Sequence, residues 1–282
     1  MSSKIVHISD FYYPDLLGGG ELNNHELIRI LKDKKKEVLC LKSDEVQLEK
    51  LKKMAKHFFI ISNFIFLDKK CMLFLEKNCR YLIYEHDHKY LKSRNPAMYN
   101  DFLAPKDQIV NKSFYEKAQK VLCQSSFHKE IIEKNLKIDN LISLSGNLWS
   151  VESLKLLNSL SKNKKESRIS ILDSFDEHKN TRDSETYCIV KKIPYEKIKS
   201  SEYHDFLVRL SKNDKFLFLP KTPETFSRIV IEAKIMGVKV ITNKNVGASY
   251  EDWYNSDPEE ILEVMIKKRD EISDLIIKEF HG

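Results

Sequence analysis

The chain has 282 residues, 41% of them hydrophobic, and a net charge of +6. That length suggests about two domains, each able to bury a core, and the composition excludes a disordered or collagen-like chain. The positive charge is moderate and its lysines are spread along the chain, which reads as solvated faces; attraction to a polyanion or an anionic membrane surface is the sharper alternative, and no zinc-finger, RNP or recognition-helix motif supports nucleic-acid binding.

The N-terminus, MSSKIVHISDFYYP, runs straight into a strand and lacks a signal peptide's apolar core. No apolar run approaches about 18 residues, so nothing reads as membrane-spanning. Five cysteines (Cys40, Cys71, Cys79, Cys123, Cys188) lack C-x-x-C spacing. They point to reduced thiols in the cytoplasm and away from a disulfide framework or zinc site.

Residues 4–9 (KIVHIS) predict the first strand. A loop over 10–17 follows, and Gly18, Gly19 and Gly20 open a helix over 21–32. Glycine is scarce at seven residues, so three together imply a backbone reason. Strand, glycine turn and helix make the phosphate-approach geometry of doubly wound folds. The G-x-G-x-x-G pattern is absent, so a dinucleotide site is not supported, and a tight junction without ligand is the other reading.

Strands follow at 37–41 (EVLCL), 57–61 (HFFII) and 80–84 (RYLIY), with helices predicted over 44–55 and 69–77. This alternation argues for a parallel α/β sheet. The fourth strand ends in Glu85-His86-Asp87-His88, where open α/β sheets bind ligands. A cleft-lining role, a surface loop and a metal site are the readings of this cluster. The metal reading has few local ligands and no evident distant partners. Residues 89–112 hold two prolines and three aromatics among basic residues. They read as a long loop or short helices over the cleft, with Arg94 able to hold an acceptor anion. A helix over 113–120, a strand over 121–124 and a helix from Ser125 or Ser126 to Asn135 come next.

A short strand over 141–144 precedes Gly146-Asn147-Leu148-Trp149, where the domain junction is placed. Ser150 caps a helix over 151–160, and 161–167 is a charged linker. A second series begins with a strand over 168–172 (RISIL), the loop DSFDEHKNT, and helices over 180–190 and 202–212.

The most informative stretch is 215–247, KFLFLPKTPETFSRIVIEAKIMGVKVITNKNVG. It predicts a buried strand over 215–219, a helix over 224–236 stopped by Gly237, and a second strand over 238–242. Glu224 sits at the mouth of that helix, and Glu232 lies about 12 Å further along the axis. Between them the amides of Thr225, Phe226 and Ser227 point out of the helix start, a ready anion site. Two carboxylates flanking a phosphate cradle suit a ligand with hydroxyls at both ends and phosphate between. The plainer reading is that Glu224 complements the helix dipole and Glu232 is an ordinary exposed residue. Pro258 starts a last long helix over 259–280.

The run P-x-x-P-E-T-F-S-R-I-V-I-E-A-K-I-M-G-V-K-V-I-T resembles the E-x7-E signature of GT-B retaining glycosyltransferases of family four, roughly E-G-F-G-L-x-x-x-E-A-x-A-x-G-x-P-V-I. Glu224, Phe226, Glu232, Ala233, Gly237, Val240 and Ile241 match. Thr225 and Ser227 replace two glycines, and Arg228 replaces an apolar residue. Pro14 to Glu21 resembles the family's P-x-x-x-G-G-x-E element, whose glycine loop faces donor phosphates or acceptor. Ala118 to His128 resembles its A-D-x-V-x-x-x-S element, with Gln119 for the Asp. In DSFDEHKNT, Lys179 matches the Lys of the family's diphosphate clamp while Ser174 stands where its Arg would be; Arg182 or Arg228 is a candidate substitute.

The resemblance implies two Rossmann-like domains facing a cleft: 1–147 on the acceptor side, 148–257 on the nucleotide-sugar donor side, and a terminal helix, 258–282, packing back towards the first. It implies transfer of a sugar from a UDP- or GDP-sugar with retention of configuration, no tightly bound cofactor and no metal. Glu224 would bind the donor sugar's hydroxyls and Glu232 the ribose hydroxyls. The amides of Thr225, Phe226 and Ser227, with Lys179, would stabilise the departing diphosphate, and His86 would contact the donor sugar. A non-catalytic sugar-nucleotide or glycan-binding protein, and a glycosyltransferase acting on a modified DNA base, are the alternative classes; a GT-B epimerase is more distant. The acceptor, whether glycan, lipid-linked or DNA base, and the oligomeric state are not readable, and peripheral membrane contact stays open.

Overall fold

The computed structural model describes residues 3–199 and 203–282; Met1 and Ser2 of the N-terminal stretch, and Glu202 of the helix expected over 202–212, lie outside them. The chain divides into two compact units. One runs up to Leu148 and includes Lys268–Gly282; the other is Trp149–Lys267.

The first unit holds β1 (Ile5–Ser9), α1 (Gly19–Asp33), β2 (Val38–Lys42), α2 (Leu48–Met54), β3 (Phe58–Ile61), α3 (Lys69–Asn78), β4 (Arg80–Tyr84), α4 (Lys112–Lys117), β5 (Val121–Cys123), α5 (Ser126–Leu136) and β6 (Leu141–Ser143). Its six strands form one parallel sheet in the order β2-β1-β3-β4-β5-β6. β1 and β3 are buried along their whole length. Covered on both faces, such strands read as largely apolar runs, unbroken in β3 and interrupted in β1 by the buried His7.

The two-residue strand period divides the core. Val6, Phe59, Ile61, Tyr81 and Ile83 face Leu51, Leu75 and Phe114 from α2, α3 and α4. Ile5, Phe58, Ile60, Leu82 and Tyr84 face Leu27 and Leu31 of α1, together with Ile272 and Ile276. The helix expected over 44–55 is shortened to α2, because Ser43–Glu45 forms a separate 3₁₀ turn. Residues 89–112 are short 3₁₀ turns held by an antiparallel bridge between Leu91 and Ile109.

The second unit begins with α6 (Val151–Leu160), β7 (Glu166–Leu172), α7 (Thr181–Lys191), β8 (Tyr195–Ile198) and α8 (Tyr203–Ser211). β9 (Asn213–Phe218), α9 (Arg228–Ile235), β10 (Lys239–Thr242) and α10 (Pro258–His281) follow, α10 passing into the first unit at Lys268. The parallel sheet order is β10-β9-β7-β8. β9, α9 and β10 form the strand–helix–strand unit expected of 215–247, with β9 and β10 neighbours in parallel register. Gly237 stops α9 at φ +71°, a conformation open to glycine. Ser150 caps α6 by accepting the Ser153 amide at 2.9 Å.

Two further features, both in the second unit, differ from expectation. β8 (YEKI) was not foreseen: it is a polar edge strand with only Ile198 buried, so it carries no apolar run. α9 starts at Arg228, four residues later than expected. The backbone from Glu224 is extended, because the Glu224 amide donates to Asn245 O at 2.7 Å and Glu224 O accepts the Gly247 amide at 2.9 Å. Among the described residues, no helix is long and apolar enough to cross a membrane.

Candidate functional site

In the second unit, three loops at the carboxyl ends of β7, β9 and β10 are laced together. Asn180 Nδ2 donates to Leu219 O at 2.8 Å, and the Lys221 amide to His178 O at 2.9 Å. The side-chain amides of Asn243 and Asn245 both donate to Pro220 O at 2.9 Å. Asp176 caps the turn before Lys179 by accepting the His178 amide. This lacing places Lys179 Nζ 2.7 Å from Glu224 Oε1. Both groups are only partly buried, so the pair is open to a ligand.

Because α9 begins at Arg228, Glu224 is not on the helix, and the expected 12 Å axial spacing to Glu232 does not apply. The amides of Thr225, Phe226 and Ser227 are likewise not the first turn of a helix; that turn starts with Arg228 and Ile229. Phe226 is fully buried, with its ring against Trp149 at 6.2 Å and Trp253 at 6.0 Å. Ser227 occupies φ +74°, and its buried hydroxyl has no hydrogen-bond partner. Of the two positions where the resembling family carries glycine, Ser227 thus keeps a left-handed backbone.

Glu232 is not an exposed helix residue. It is 3% exposed, and its Oε1 accepts from Trp149 Nε1 at 2.8 Å and from the Tyr203 hydroxyl at 2.7 Å. Arg228 Nε stands 3.8 Å from the same oxygen, and its guanidinium lies 4.2 Å over the Trp149 ring. Burial and the Glu232 charge push the Tyr203 hydroxyl well above the ordinary tyrosine range, so it stays a donor. Arg228 is thereby committed to Trp149 and Glu232. Ser174 holds the β7 loop instead, its amide donating to Thr181 Oγ1 at 3.1 Å.

In the first unit, Gly18 caps α1, and Gly19 and Gly20 form its first residues. Gly20 lies against the His86 ring: a Cβ there would stand 3.4 Å from His86 Cγ, an ordinary contact. The His86 ring stacks on Tyr84 at 4.8 Å. Its Nδ1 is 2.8 Å from Gln124 Nε2 and its Nε2 2.7 Å from Asn24 Oδ1. Gln124 Nε2 is a donor, so Nδ1 accepts, and Nε2 carries the proton that Asn24 receives. Both ring nitrogens of His86 therefore have partners within the unit.

The rest of the acidic-histidine run does not converge on one point. Glu85 is buried, joined by the Lys89 ammonium and the Tyr115 hydroxyl. His88 is buried, with Nδ1 3.2 Å from the Tyr90 hydroxyl, and burial lowers its pKa to about 3. Asp87 pairs with Arg94 at 3.2 Å. Among the described residues, no group of three or more His, Cys, Asp or Glu side chains gathers as a metal site would need. Trp149, Tyr203, Asn24 and Gln124 were not foreseen as site residues; each acts across long sequence separations that no local pattern marks.

No family model matches the sequence, and no curated protein matches it. Solved structures share its fold. Starch synthase IV from Arabidopsis thaliana, its catalytic domain bound to ADP and acarbose, aligns over 100% of both chains with TM-score 0.63 and 9% identity. Anabaena HepE, in complex with UDP and glucose, covers 99% of this chain and 92% of its own, with TM-score 0.55 and 13% identity. The lipopolysaccharide outer core galactosyltransferase WaaB covers 99% and 94%, with TM-score 0.52 and 12% identity. With two parallel α/β units and these neighbours, the chain has the fold of the GT-B glycosyltransferases.

Proposed function

We propose that the protein is a glycosyltransferase that moves a sugar from a nucleoside-diphosphate sugar to an acceptor, with retention of configuration. The observation that carries this reading is the Lys179–Glu224 pair at the carboxyl ends of the second unit's strands, where open α/β folds bind ligands. Glu224 offers a carboxylate acceptor for sugar hydroxyls. Lys179 offers the cation that offsets charge gathering on the departing diphosphate. The first turn of α9 adds amide donors from Arg228 and Ile229. Glu232, held by Trp149 and Tyr203, has a second carboxylate oxygen to accept ribose hydroxyls. His86 and the Gly18, Gly19, Gly20 loop belong to the first unit's part of the reading, with Gly20 beside the His86 ring. The nucleoside diphosphates bound by HepE and by starch synthase IV support a UDP- or ADP-type donor.

Thermal unfolding with a panel of UDP-, GDP- and ADP-sugars tests the reading. A donor at 100 times its Kd stabilises the native state by about 2.7 kcal/mol. One donor should raise the midpoint in the native protein and fail to do so in Lys179→Ala. Absence of any shift, with sugar nucleotides or free nucleoside diphosphates, would sink the donor assignment. Stabilisation without transfer to any acceptor would favour a binding protein instead.

A further inference from the structure

The first unit carries a cavity of about 710 Å³ that the donor reading does not use. It lies beyond the carboxyl ends of β3 and β4, between α3 and the 89–112 segment. Its volume is in the range of small-molecule sites. The lining is apolar at depth: Phe64, Leu67 and Leu91 are buried there, with Met72 and Val110 beside them. Four cations stand at its edge, Lys69, Lys92, Arg94 and Lys112, all exposed. Arg94 and Lys112 have local carboxylates, Asp87 at 3.2 Å and Glu116 at 3.4 Å. Among the described residues, Lys69 and Lys92 pair with no carboxylate. Lys89 at the cavity wall is buried and neutralised by Glu85. Glu76 is the single acid of the lining, and it accepts the Ser113 hydroxyl at 3.0 Å.

The rim is apolar. Ile65 is 48% exposed and Leu73 44%, and both line the cavity mouth. Phe66 beside them is 53% exposed and meets the exposed Phe11 ring at 5.9 Å. Asp10 holds this rim in place by accepting the amides of Ile65 and Phe66 at 3.0 and 3.2 Å. Large apolar side chains are therefore fixed outward, in water, around a pocket with uncompensated positive charge.

We infer that this cavity and its rim form a docking site for an anionic lipid at a membrane surface, the headgroup held by Lys69 and Lys92 and the proximal chain by the apolar lining. The acceptor of the proposed transfer is then a lipid presented at that surface; this last clause rests on the glycosyltransferase reading, and the docking site does not. Charge complementarity selects an anionic headgroup. Apart from Phe64 the apolar lining is aliphatic, which favours an acyl chain within the pocket over a nucleobase; exposed stacking faces are confined to Phe66 and Phe11 at the rim. Exposed apolar side chains beside basic ones are the composition that binds an anionic interface.

Co-sedimentation of the full chain with vesicles tests this. Phosphatidylcholine vesicles containing phosphatidylglycerol should bind it, and pure phosphatidylcholine vesicles should not. Each basic residue near an anionic surface is worth about fivefold in partitioning. Lys69→Gln with Lys92→Gln should therefore lower binding about twenty-five-fold. Ile65→Ser with Phe66→Ser should weaken it by a similar order while leaving the salt dependence in place. All four positions are exposed at the surface, and an unchanged melting temperature verifies folding. Equal binding to neutral and anionic vesicles, no binding to either, or indifference to both double variants overturns the inference. So does a single-stranded oligonucleotide that binds more tightly than the vesicles and through the same lysines. Donor-induced stabilisation is read separately: vesicle binding without it removes the transferase reading alone, and stabilisation without vesicle binding removes the docking site alone.

Discussion

The Lys179 ammonium and the Glu224 carboxylate lie 2.7 Å apart, although 45 residues separate them in sequence. The pair closes a bracket between the β7–α7 loop and the β9–α9 turn. Partly exposed as it is, it contributes little to stability, about 1 kcal/mol or less. On the proposed function it contributes much more to chemistry. Lys179→Ala should lower kcat/KM by about 10²- to 10³-fold through loss of leaving-group stabilisation, with a nearly unchanged melting temperature. Glu224→Gln should retain affinity for the free nucleoside diphosphate and lose the increment due to the sugar. Calorimetric titration with the diphosphate and with the intact donor separates the two roles. Equal loss of both ligands in Glu224→Gln would count against its assignment to the sugar.

Glu232 behaves as a structural keystone whatever else it does. Glu232→Ala would leave Trp149 Nε1–H and the Tyr203 hydroxyl without their acceptor and Arg228 without its carboxylate. Breaking such a buried set costs about 3–5 kcal/mol. Trp149→Phe removes one donor to a charged acceptor and should cost about 1.5–3 kcal/mol. Urea unfolding measures both. A ribose role for Glu232 is therefore tested with Glu232→Gln, at conditions where circular dichroism verifies the fold.

Much of the architecture is legible in local pattern. Strands β1, β3 and β9 read as apolar runs, Ser150 announces α6, and Gly237 ends α9. What escaped is what depends on distant partners. β8 pairs through its backbone with Ile198 its one buried side chain, so neither an apolar run nor an alternation in YEKI marks it. Glu224 looks like the first residue of a helix because Pro223 precedes it and an apolar-periodic run follows. Its pairing with Val246, 22 residues on, holds it extended instead. Glu232 looks exposed until Trp149, 83 residues away, is seen to donate to it. His86 was placed at a strand end from topology, but its tautomer is set by Asn24 and Gln124, which the local sequence does not connect to it.

Ser227 holds a left-handed backbone with a buried hydroxyl that has no hydrogen-bond partner. An L-residue in that region costs about 1–2 kcal/mol relative to its ordinary conformations. Ser227→Gly removes the strain and the unsatisfied hydroxyl together. After the extra chain entropy of glycine is set against this, it should stabilise the second unit by about 1 kcal/mol. Thr225 shows no positive φ, so Thr225→Gly should destabilise slightly. Thermal unfolding of the two variants side by side checks the sign of each, and stabilisation by Thr225→Gly would contradict this account of the turn.

Acid should unfold the first unit before the second. His7 and His88 are buried and held neutral, their pKa lowered from 6.5 to about 3 by desolvation. Burial also lowers His128 well below its ordinary value. In the unfolded chain these histidines bind protons near pH 6.5, so their stabilisation is complete above that pH and is lost as pH falls towards 3. Glu21 and Glu85 act in the opposite sense, because burial raises both. They oppose the loss down to about pH 4.5, below which they are protonated in either state. Stability of the first unit should therefore decline gently from pH 6.5 and steeply below about 4.5, by about 1.4 kcal/mol per pH unit for each histidine. In the second unit, the Tyr195 hydroxyl and Lys197 hold Glu185 low, and hydrogen bonds from Asn213 and Arg209 outweigh desolvation to lower Glu196; at these accessible sites the acid penalty is small. Both tryptophans, Trp149 and Trp253, lie in the second unit, so their fluorescence reports that unit alone. Between pH 5 and 3 circular dichroism should lose signal before tryptophan emission shifts. His88→Phe, which keeps an apolar ring in the site, should move the circular dichroism transition to lower pH; a transition that does not move would remove His88 from the account.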